Sequence, residues 1–112
     1  MFAAHNKLSK LIAFTDFNNA QIDGTTEEIL GLGSLASKWS AFGWNAIDVD
    51  GHDIGAIDKA IESGLASTDK PTMIVMHTVK GKGCSFCEGQ VGSHNMPVTK
   101  EMAKEAIAKL GA

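Results

Sequence analysis

The segment Thr72–His77 constrains the fold of this chain more than any other. Its sequence, Thr-Met-Ile-Val-Met-His, is apolar at successive positions rather than at alternate ones. Because neighbouring side chains of a strand point to opposite faces of the sheet, this strand needs cover on both faces. Strands of that kind are typical of parallel sheets with helices on each side. The segment therefore predicts an internal strand of a layered α/β domain.

Strand-like and helix-like patterns alternate along the rest of the chain. Residues 1–10 resemble the last turns of a helix, and a short or broken helix is predicted to start at Thr25, whose hydroxyl can cap free N–H groups. Further strands are predicted over residues 11–15 and 45–49, and further helices over 34–42, 54–65 with Asp53 as N-cap, and 99–110 with Thr99 as cap. This order predicts an α/β three-layer sandwich, with a parallel Rossmann-like sheet and right-handed crossovers.

Composition excludes several classes of function. The chain has 112 residues, which fits one domain, and a formal net charge of −3, which gives no electrostatic case for nucleic-acid binding. No apolar run approaches the roughly 20 residues of a membrane span. No secretory signal is visible, and two cysteines in such a chain indicate a reducing, cytoplasmic setting.

Polar loops follow the three predicted strands, over residues 16–24, 50–53 and 80–97. Parallel strands bring such loops to one edge of the sheet, where ligands bind. In the first loop, the Asn18 side-chain oxygen and the Ala20 backbone carbonyl could bind a hard cation such as Mg²⁺. The alternative is that Asp16, Asn18 and Asp23 only form Asx turns.

The third loop offers groups that suit an anion. Lys80-Gly-Lys-Gly83 places ammonium groups beside glycines that let the backbone approach a ligand closely, and phosphate is the natural candidate. His94 could donate to the same anion or move a proton near neutral pH. The alternatives are a flexible solvated loop and an exposed surface histidine. His77, at the end of the apolar strand, is predicted to be a core histidine.

Cys84 and Cys87 form a C-x-x-C pair in the third loop. Zinc would need two further ligands, and only His94 is near in sequence. A thioredoxin-type pair would open a helix after a strand, whereas this pair lies in a glycine-rich loop. The sequence leaves the role of the pair open.

These segments together resemble transketolases, the thiamine-diphosphate enzymes that move two-carbon units between sugars. The resemblance covers nearly the whole chain in order, and the motifs are most similar to those of the N-terminal subunit of split transketolases. The matching segments are Ala3-Ala-His-Asn-Lys-Leu8, residues 11–24, Phe42-Gly-Trp44, Val49-Asp-Gly-His-Asp53, Lys70-Pro-Thr72, and His77-Thr-Val-Lys-Gly-Lys-Gly83 followed by His94.

The resemblance implies a role for each of five residues. Asn18 and Ala20 match the side-chain and backbone ligands of the family's cation, Mg²⁺ or Ca²⁺. Lys80 matches a lysine near the cofactor diphosphate, and Ile22 matches a cofactor contact. His94 matches a catalytic histidine near the diphosphate and the donor sugar. The family often has Gly after this histidine, whereas Asn95 follows it here.

The resemblance also implies that residues 1–112 form a single partial domain, the C-terminal half of the diphosphate-binding domain. The family's upstream Gly-Asp-Gly, whose Asp is the third cation ligand, is absent from the sequence. The pyrimidine domain with its activating glutamate is absent too. We therefore expect the isolated chain to bind cofactor weakly or not at all and to be inactive by itself. Related deoxyxylulose-phosphate and dihydroxyacetone synthases remain alternatives to a transketolase.

The complete enzyme would be a cytoplasmic dimer of the pentose phosphate pathway that acts on sugar phosphates. Its missing parts, the upstream segment and a pyrimidine-domain subunit, would be partners of this chain. The alternative is a non-catalytic remnant or interaction module that self-associates into a homo-oligomer, because a missing strand leaves an unpaired sheet edge.

Overall fold

The structure, a computed structural model, describes residues 1–111. The helices and strands, in chain order, are α1 (Phe2–His5), β1 (Ile12–Phe17), β2 (Ala20–Gln21), β3 (Gly24–Thr25), α2 (Thr26–Leu30), α3 (Leu35–Ala41), β4 (Asn45–Asp50), α4 (Ile54–Ala66), β5 (Thr72–His77) and α5 (Lys100–Leu110), with a 3₁₀ helix at Val91–Asn95 before α5. They divide into two compact units: residues 1–17 with 32–78, and residues 18–31 with the chain from Val79 onward. Among the described helices, none is long and apolar enough to cross a membrane.

The first unit contains a three-stranded parallel sheet in the order β1-β5-β4. Thr72 of β5 pairs with Ile12 of β1 on one side and with Asn45 of β4 on the other. Because β5 is central, its side chains are covered on both faces, and Ile74 and Val75 are both 0% exposed. The predicted parallel α/β sheet with an internal apolar strand is confirmed.

Helix α4 packs across one face of this sheet. The Asp53 side chain accepts the Ala56 N–H at 3.0 Å, which caps the helix as predicted. Gly64 is buried near the other end, where a Cβ would lie 2.9 Å from Ile12 Cδ1 and 3.3 Å from Thr72 Cβ. The absence of a side chain at Gly64 thus lets the helix lie close to β1 and β5.

Two features of the first unit differ from the predictions. Helix α1 ends at His5, and Lys7 has a φ of +52°, so the chain leaves the helix well before residue 10. His77 is not a core residue: its side chain is 53% exposed, and its Nε2 lies 2.6 Å from Asp48 Oδ1. His77 is the last residue of β5 and is exposed, and its imidazole pairs with the Asp48 carboxylate at the surface.

The second unit is built from short elements with strong local caps. Strands β2 and β3 form a small antiparallel ribbon that leads directly into α2. The Thr25 hydroxyl accepts the Glu28 N–H at 3.2 Å while Glu28 Oε2 accepts the Thr25 N–H at 3.0 Å, which makes a capping box. The Thr99 hydroxyl caps α5 by accepting the Met102 N–H at 3.2 Å, without the reciprocal bond of a capping box. The predicted caps at Thr25 and Thr99 are confirmed.

Candidate functional site

A cavity of about 340 Å³ lies within the second unit. The residues that line it are Asn18, Ala20, Gln21, Ile22, Lys80, Val91 and His94. All five residues that the resemblance assigns to a site are among them, although they come from segments more than fifty residues apart in the sequence. Folding of the second unit therefore brings the first and third loops together around one cavity.

The side chain of Asn18 has a fixed orientation. Its Oδ1 accepts the Ala20 N–H at 3.0 Å, which is the Asx-turn geometry that the sequence left as an alternative. An amide oxygen has two lone pairs, so the same atom can accept this bond and still ligate a cation. Asp16, by contrast, accepts the hydroxyl of Thr78, and its carboxylate belongs to the first unit.

The carbonyl of Ala20 is directed away from the ribbon in which Ala20 lies. The Thr26 N–H donates to the Asn19 carbonyl at 3.1 Å, while the Thr25 N–H donates to Glu28. This pattern makes Ala20 and Thr25 a non-hydrogen-bonded pair of the antiparallel ribbon. In such a pair the Ala20 carbonyl is not bonded to β3, and Ala20 is one of the residues that line the cavity.

Lys80 is held at the start of a tight loop. Its carbonyl accepts the Gly89 N–H at 2.8 Å, which closes the loop over residues 80–89. Gly81 and Gly83 have φ values of +69° and +85°, which side chains rarely adopt, so the glycines are required by the turn. The half-buried Lys80 side chain then lines the cavity.

His94 lies on the 3₁₀ helix that the sequence analysis did not predict. The Ser93 N–H and hydroxyl both bond the Gln90 carbonyl, at 3.2 Å and 2.7 Å, and this fixes the first turn of that helix. The imidazole is exposed on the cavity wall. Asn95, which replaces the family's usual glycine, is the last residue of this helix.

The cavity combines nitrogen donors that suit an anion with neutral oxygens that suit a cation. The Lys80 ammonium and the His94 imidazole can bind an anion, and the oxygens of Asn18 and Ala20 can bind a hard cation. Within residues 1–111, no cluster of three or more His, Cys, Asp or Glu side chains is arranged to hold a metal ion. A cation here would therefore depend on neutral oxygens and on the ligand's own charge. This donor set fits the magnesium complex of a diphosphate.

Sequence reasoning missed two of the lining residues. Gln21 and Val91 line the cavity but carry no motif, although Val91 is an apolar residue in a polar loop. Residues 50–53, the second candidate loop, belong to the first unit. There, the Asp50 side chain accepts the His52 N–H at 2.9 Å and shapes the turn before α4.

Comparison with known families matches the chain to one of them. The profile of "Transketolase, thiamine diphosphate binding domain" covers residues 1–112.

Curated relatives carry names of the same kind. A 6-deoxy-6-sulfo-D-fructose transketolase subunit of Clostridium sp. strain MSTE9 is 51% identical over 110 residues, which cover 98% of this chain and 40% of that protein. An apulose-4-phosphate transketolase subunit of Phocaeicola vulgatus is 38% identical over 104 residues, or 93% of this chain and 37% of that protein. The chain thus spans less than half the length of these relatives.

Solved structures with the same fold are also transketolases. The Campylobacter jejuni transketolase superposes with a TM-score of 0.88 at 32% identity, over 98% of this chain and 17% of that one. A Pichia stipitis transketolase in complex with sedoheptulose 7-phosphate gives a TM-score of 0.87 at 34% identity, over 98% of this chain and 16% of that one.

Proposed function

Because the chain belongs to the transketolase family and matches its thiamine-diphosphate-binding domain, we propose that it supplies part of the cofactor site of a transketolase. The observation that supports this proposal is the lining of one cavity by Asn18, Ala20, Lys80 and His94. Two of these residues offer neutral oxygens and two offer N–H donors, which is the chemistry that a metal-bound diphosphate requires.

Five of the seven residues named as lining the cavity have a proposed role. Lys80 and His94 bind the diphosphate, and the side-chain oxygen of Asn18 and the carbonyl of Ala20 bind Mg²⁺ or Ca²⁺. Ile22, 62% exposed at the cavity, provides an apolar contact for the cofactor. When bound, thiamine diphosphate supplies the nucleophilic carbon that accepts and releases a two-carbon unit.

His94 is also the proposed catalytic residue. Its imidazole can hold or donate a proton near neutral pH, and it lines the same cavity as Lys80. A donor at this position can orient a hydroxyl of the donor sugar while it contacts the diphosphate. The proposed substrates are sugar phosphates, and the proposed setting is the cytoplasmic pentose phosphate pathway.

A pyrimidine-domain subunit is the proposed partner. The relatives from Clostridium and Phocaeicola are named as transketolase subunits, which supports an assembly of two chain types. The described cavity lining offers Asn18 and Ala20 as oxygen ligands for the cation, and the sequence contains no Gly-Asp-Gly to supply a third. We therefore expect the isolated 112 residues to bind thiamine diphosphate weakly or undetectably by calorimetry and to show no ketol transfer.

A chimera tests the proposal in a complete enzyme. The matched 110 residues of the Clostridium protein would be replaced by those of this chain, and the chimera would be assayed with the sulfosugar in the presence of its partner chain. We expect cofactor-dependent ketol transfer. Lys80→Met should raise the cofactor concentration for half-maximal activity by about 10- to 150-fold, since it removes a charge-assisted hydrogen bond that contributes roughly 1.5–3 kcal/mol.

The matched control is Lys104→Met, which removes the same charge from an exposed position on α5 outside the cavity. This control should leave the cofactor requirement unchanged. A folded chimera with no activity, or one that responds equally to both lysine substitutions, would contradict the proposed role of the cavity.

The second candidate function is self-association without catalysis. It is favoured by an apolar groove of about 600 Å³ in the first unit, lined mainly by Met1, Leu32, Leu35, Trp39 and Phe42. Contiguous exposed apolar surface of this kind is typical of interfaces. We propose that a second copy covers it. Light scattering across a dilution series should then show a concentration-dependent mass, and a constant monomer mass would contradict this candidate.

A further inference from the structure

The loop over residues 80–89 contains a pair of cysteines that has no role in the proposed function. Cys84 and Cys87 are both free thiols, half-buried and three residues apart. The Cys87 N–H donates to the Cys84 carbonyl at 3.0 Å, which defines a turn between them. Such a turn holds the first and fourth Cα atoms within about 7 Å, and a disulfide needs a Cα separation of roughly 4.4–6.8 Å.

The side chains of the two cysteines also face each other. A hydrogen bond with Cys84, in which the Cys87 thiol keeps its proton, is the main cause that raises the pKa of Cys87 above its ordinary value of 9.0, and the charge of Lys80 acts in the opposite direction. This interaction agrees with the turn, which places the two half-buried cysteines on neighbouring positions of one loop.

The rest of the loop holds the turn in place around the pair. The Glu88 side chain, which follows the cysteines, accepts the Gly83 N–H at 2.9 Å and the Lys82 ammonium at 3.1 Å. Both of these donors precede the cysteines, so the two bonds close the loop around the pair. A Cβ on Gly81 would lie 2.9 Å from Cys87 Sγ, so only glycine leaves room for this sulfur. The loop therefore holds both cysteines in a defined conformation.

We propose that Cys84 and Cys87 are a reversible oxidation site, which forms an intramolecular disulfide by exchange with a small-molecule disulfide such as oxidised glutathione. One cysteine thiolate attacks the external disulfide, forms a mixed disulfide and releases one thiol. The other cysteine then attacks the mixed disulfide, forms the Cys84–Cys87 bond and releases the second thiol. Two protons and two electrons pass from the pair to the external disulfide, which is reduced to two thiols.

Oxidation has a direct consequence for the loop. A disulfide holds its sulfurs about 2.05 Å apart, closer than two thiols can approach. One or both sulfurs must therefore move toward the other when the bond forms. This site is independent of cofactor binding, so its test does not depend on the proposed function.

The experiment equilibrates the full chain with mixtures of reduced and oxidised glutathione, alkylates the remaining thiols and measures the mass. We expect a monomeric species lighter by two hydrogens, which dithiothreitol reverses. Its rate of formation should be about tenfold higher at pH 8 than at pH 7, since only the thiolate attacks.

Three variants make the result specific. Cys84→Ser and Cys87→Ser each remove the resolving thiol, so each should accumulate a glutathione adduct instead of the disulfide. Ser85→Ala, an exposed position inside the same turn, should behave as the wild-type chain. The proposal is overturned if the wild-type chain stays reduced in excess oxidised glutathione, keeps glutathione adducts, or forms disulfides between chains.

Discussion

At the scale of the residue, Asn18 combines a structural and a proposed functional role in one oxygen atom. Its Oδ1 accepts the Ala20 N–H, and this bond fixes the orientation of the amide at the cavity. Asn18→Ala removes the acceptor, so we expect a loss of about 0.5–1.5 kcal/mol in the free energy of unfolding. In the chimera it should also raise the Mg²⁺ concentration required for activity. Asn18→Asp keeps the acceptor and should keep the Mg²⁺ requirement near that of the wild type.

Denaturant unfolding and Mg²⁺ titration of the chimera measure these two effects separately. Asn6→Ala is a matched control, because Asn6 also uses its side chain for a local bond, to the Phe2 carbonyl, but lies outside the cavity. An unchanged Mg²⁺ requirement in Asn18→Ala would contradict the cation role of this residue.

Glu28 gives the second unit a predictable response to acid. Hydrogen bonds from the backbone N–H and then the hydroxyl of Thr25 lower the pKa of Glu28 below its ordinary value of 4.5. A carboxylate with a lowered pKa contributes stability that is present above the unfolded-state value and is lost as the pH falls through the folded-state value. We therefore expect the capping box at the start of α2 to weaken below about pH 4.5.

Hydrogen exchange of the α2 amides between pH 3 and pH 6 would measure this weakening, after correction for the intrinsic exchange rate. Glu28→Gln should make the protection of α2 nearly independent of pH in this window. Glu62→Gln, at an exposed position on α4, is the control and should leave the pH dependence of α2 as in the wild type.

At the scale of the element, the sequence predicted the longer elements well because their patterns report burial and capping directly. The central strand at Thr72–His77 and the N-cap at Asp53 are found as predicted. The ribbon of β2 and β3 was missed because each strand has two residues, too few to show alternation. The 3₁₀ helix carrying His94 was missed because its first turn depends on bonds from Ser93 to the Gln90 carbonyl.

Gly64 tests the packing of α4 on the sheet. Gly64→Ala would add a Cβ at 2.9 Å from Ile12 Cδ1 and 3.1 Å from Ile12 Cγ1, which forces the helix or the side chain to move. Overpacking costs about 1–3 kcal/mol, while alanine recovers up to about 1 kcal/mol of helix propensity over glycine. We expect a net loss of up to about 2 kcal/mol in the free energy of unfolding by denaturant.

The adjacent Ser63→Ala is the control for Gly64→Ala. Ser63 is exposed on the same helix, so its substitution should change the free energy of unfolding by no more than about 0.5 kcal/mol. If Gly64→Ala were as stable as Ser63→Ala, the contact of α4 with β1 would be looser than the distances indicate.

At the scale of the whole molecule, the sequence could predict that loops from distant segments meet, but not which of their side chains are already used in local bonds. Parallel strands made three loops candidates for one site, and residues of the first and third loops line the cavity. In the second loop, over residues 50–53, Asp50 uses its carboxylate to shape the turn before α4. The sequence shows a polar residue at a strand end without showing whether local bonds already satisfy it.

The extent of exposed apolar surface leads to the last prediction. Strand β1 pairs only with β5 among residues 1–111, and Phe14 on β1 is 48% exposed although its register partner Ile74 is fully buried. Gly64 of α4 meets β1 at Ile12, the first residue of this edge strand. If a second copy covers such surface, association stabilises the folded chain by mass action. The midpoint of thermal unfolding should then rise with chain concentration.

Differential scanning calorimetry over a hundredfold range of concentration would measure this rise. Phe14→Ser should reduce it, because the polar side chain removes apolar area from the proposed contact. Ile54→Ser, at a position 77% exposed on α4, removes a comparable apolar side chain and should leave the concentration dependence as in the wild type. A midpoint independent of concentration in all three proteins would mean that the folded chain is stable without association, and would contradict a contact between copies through Phe14.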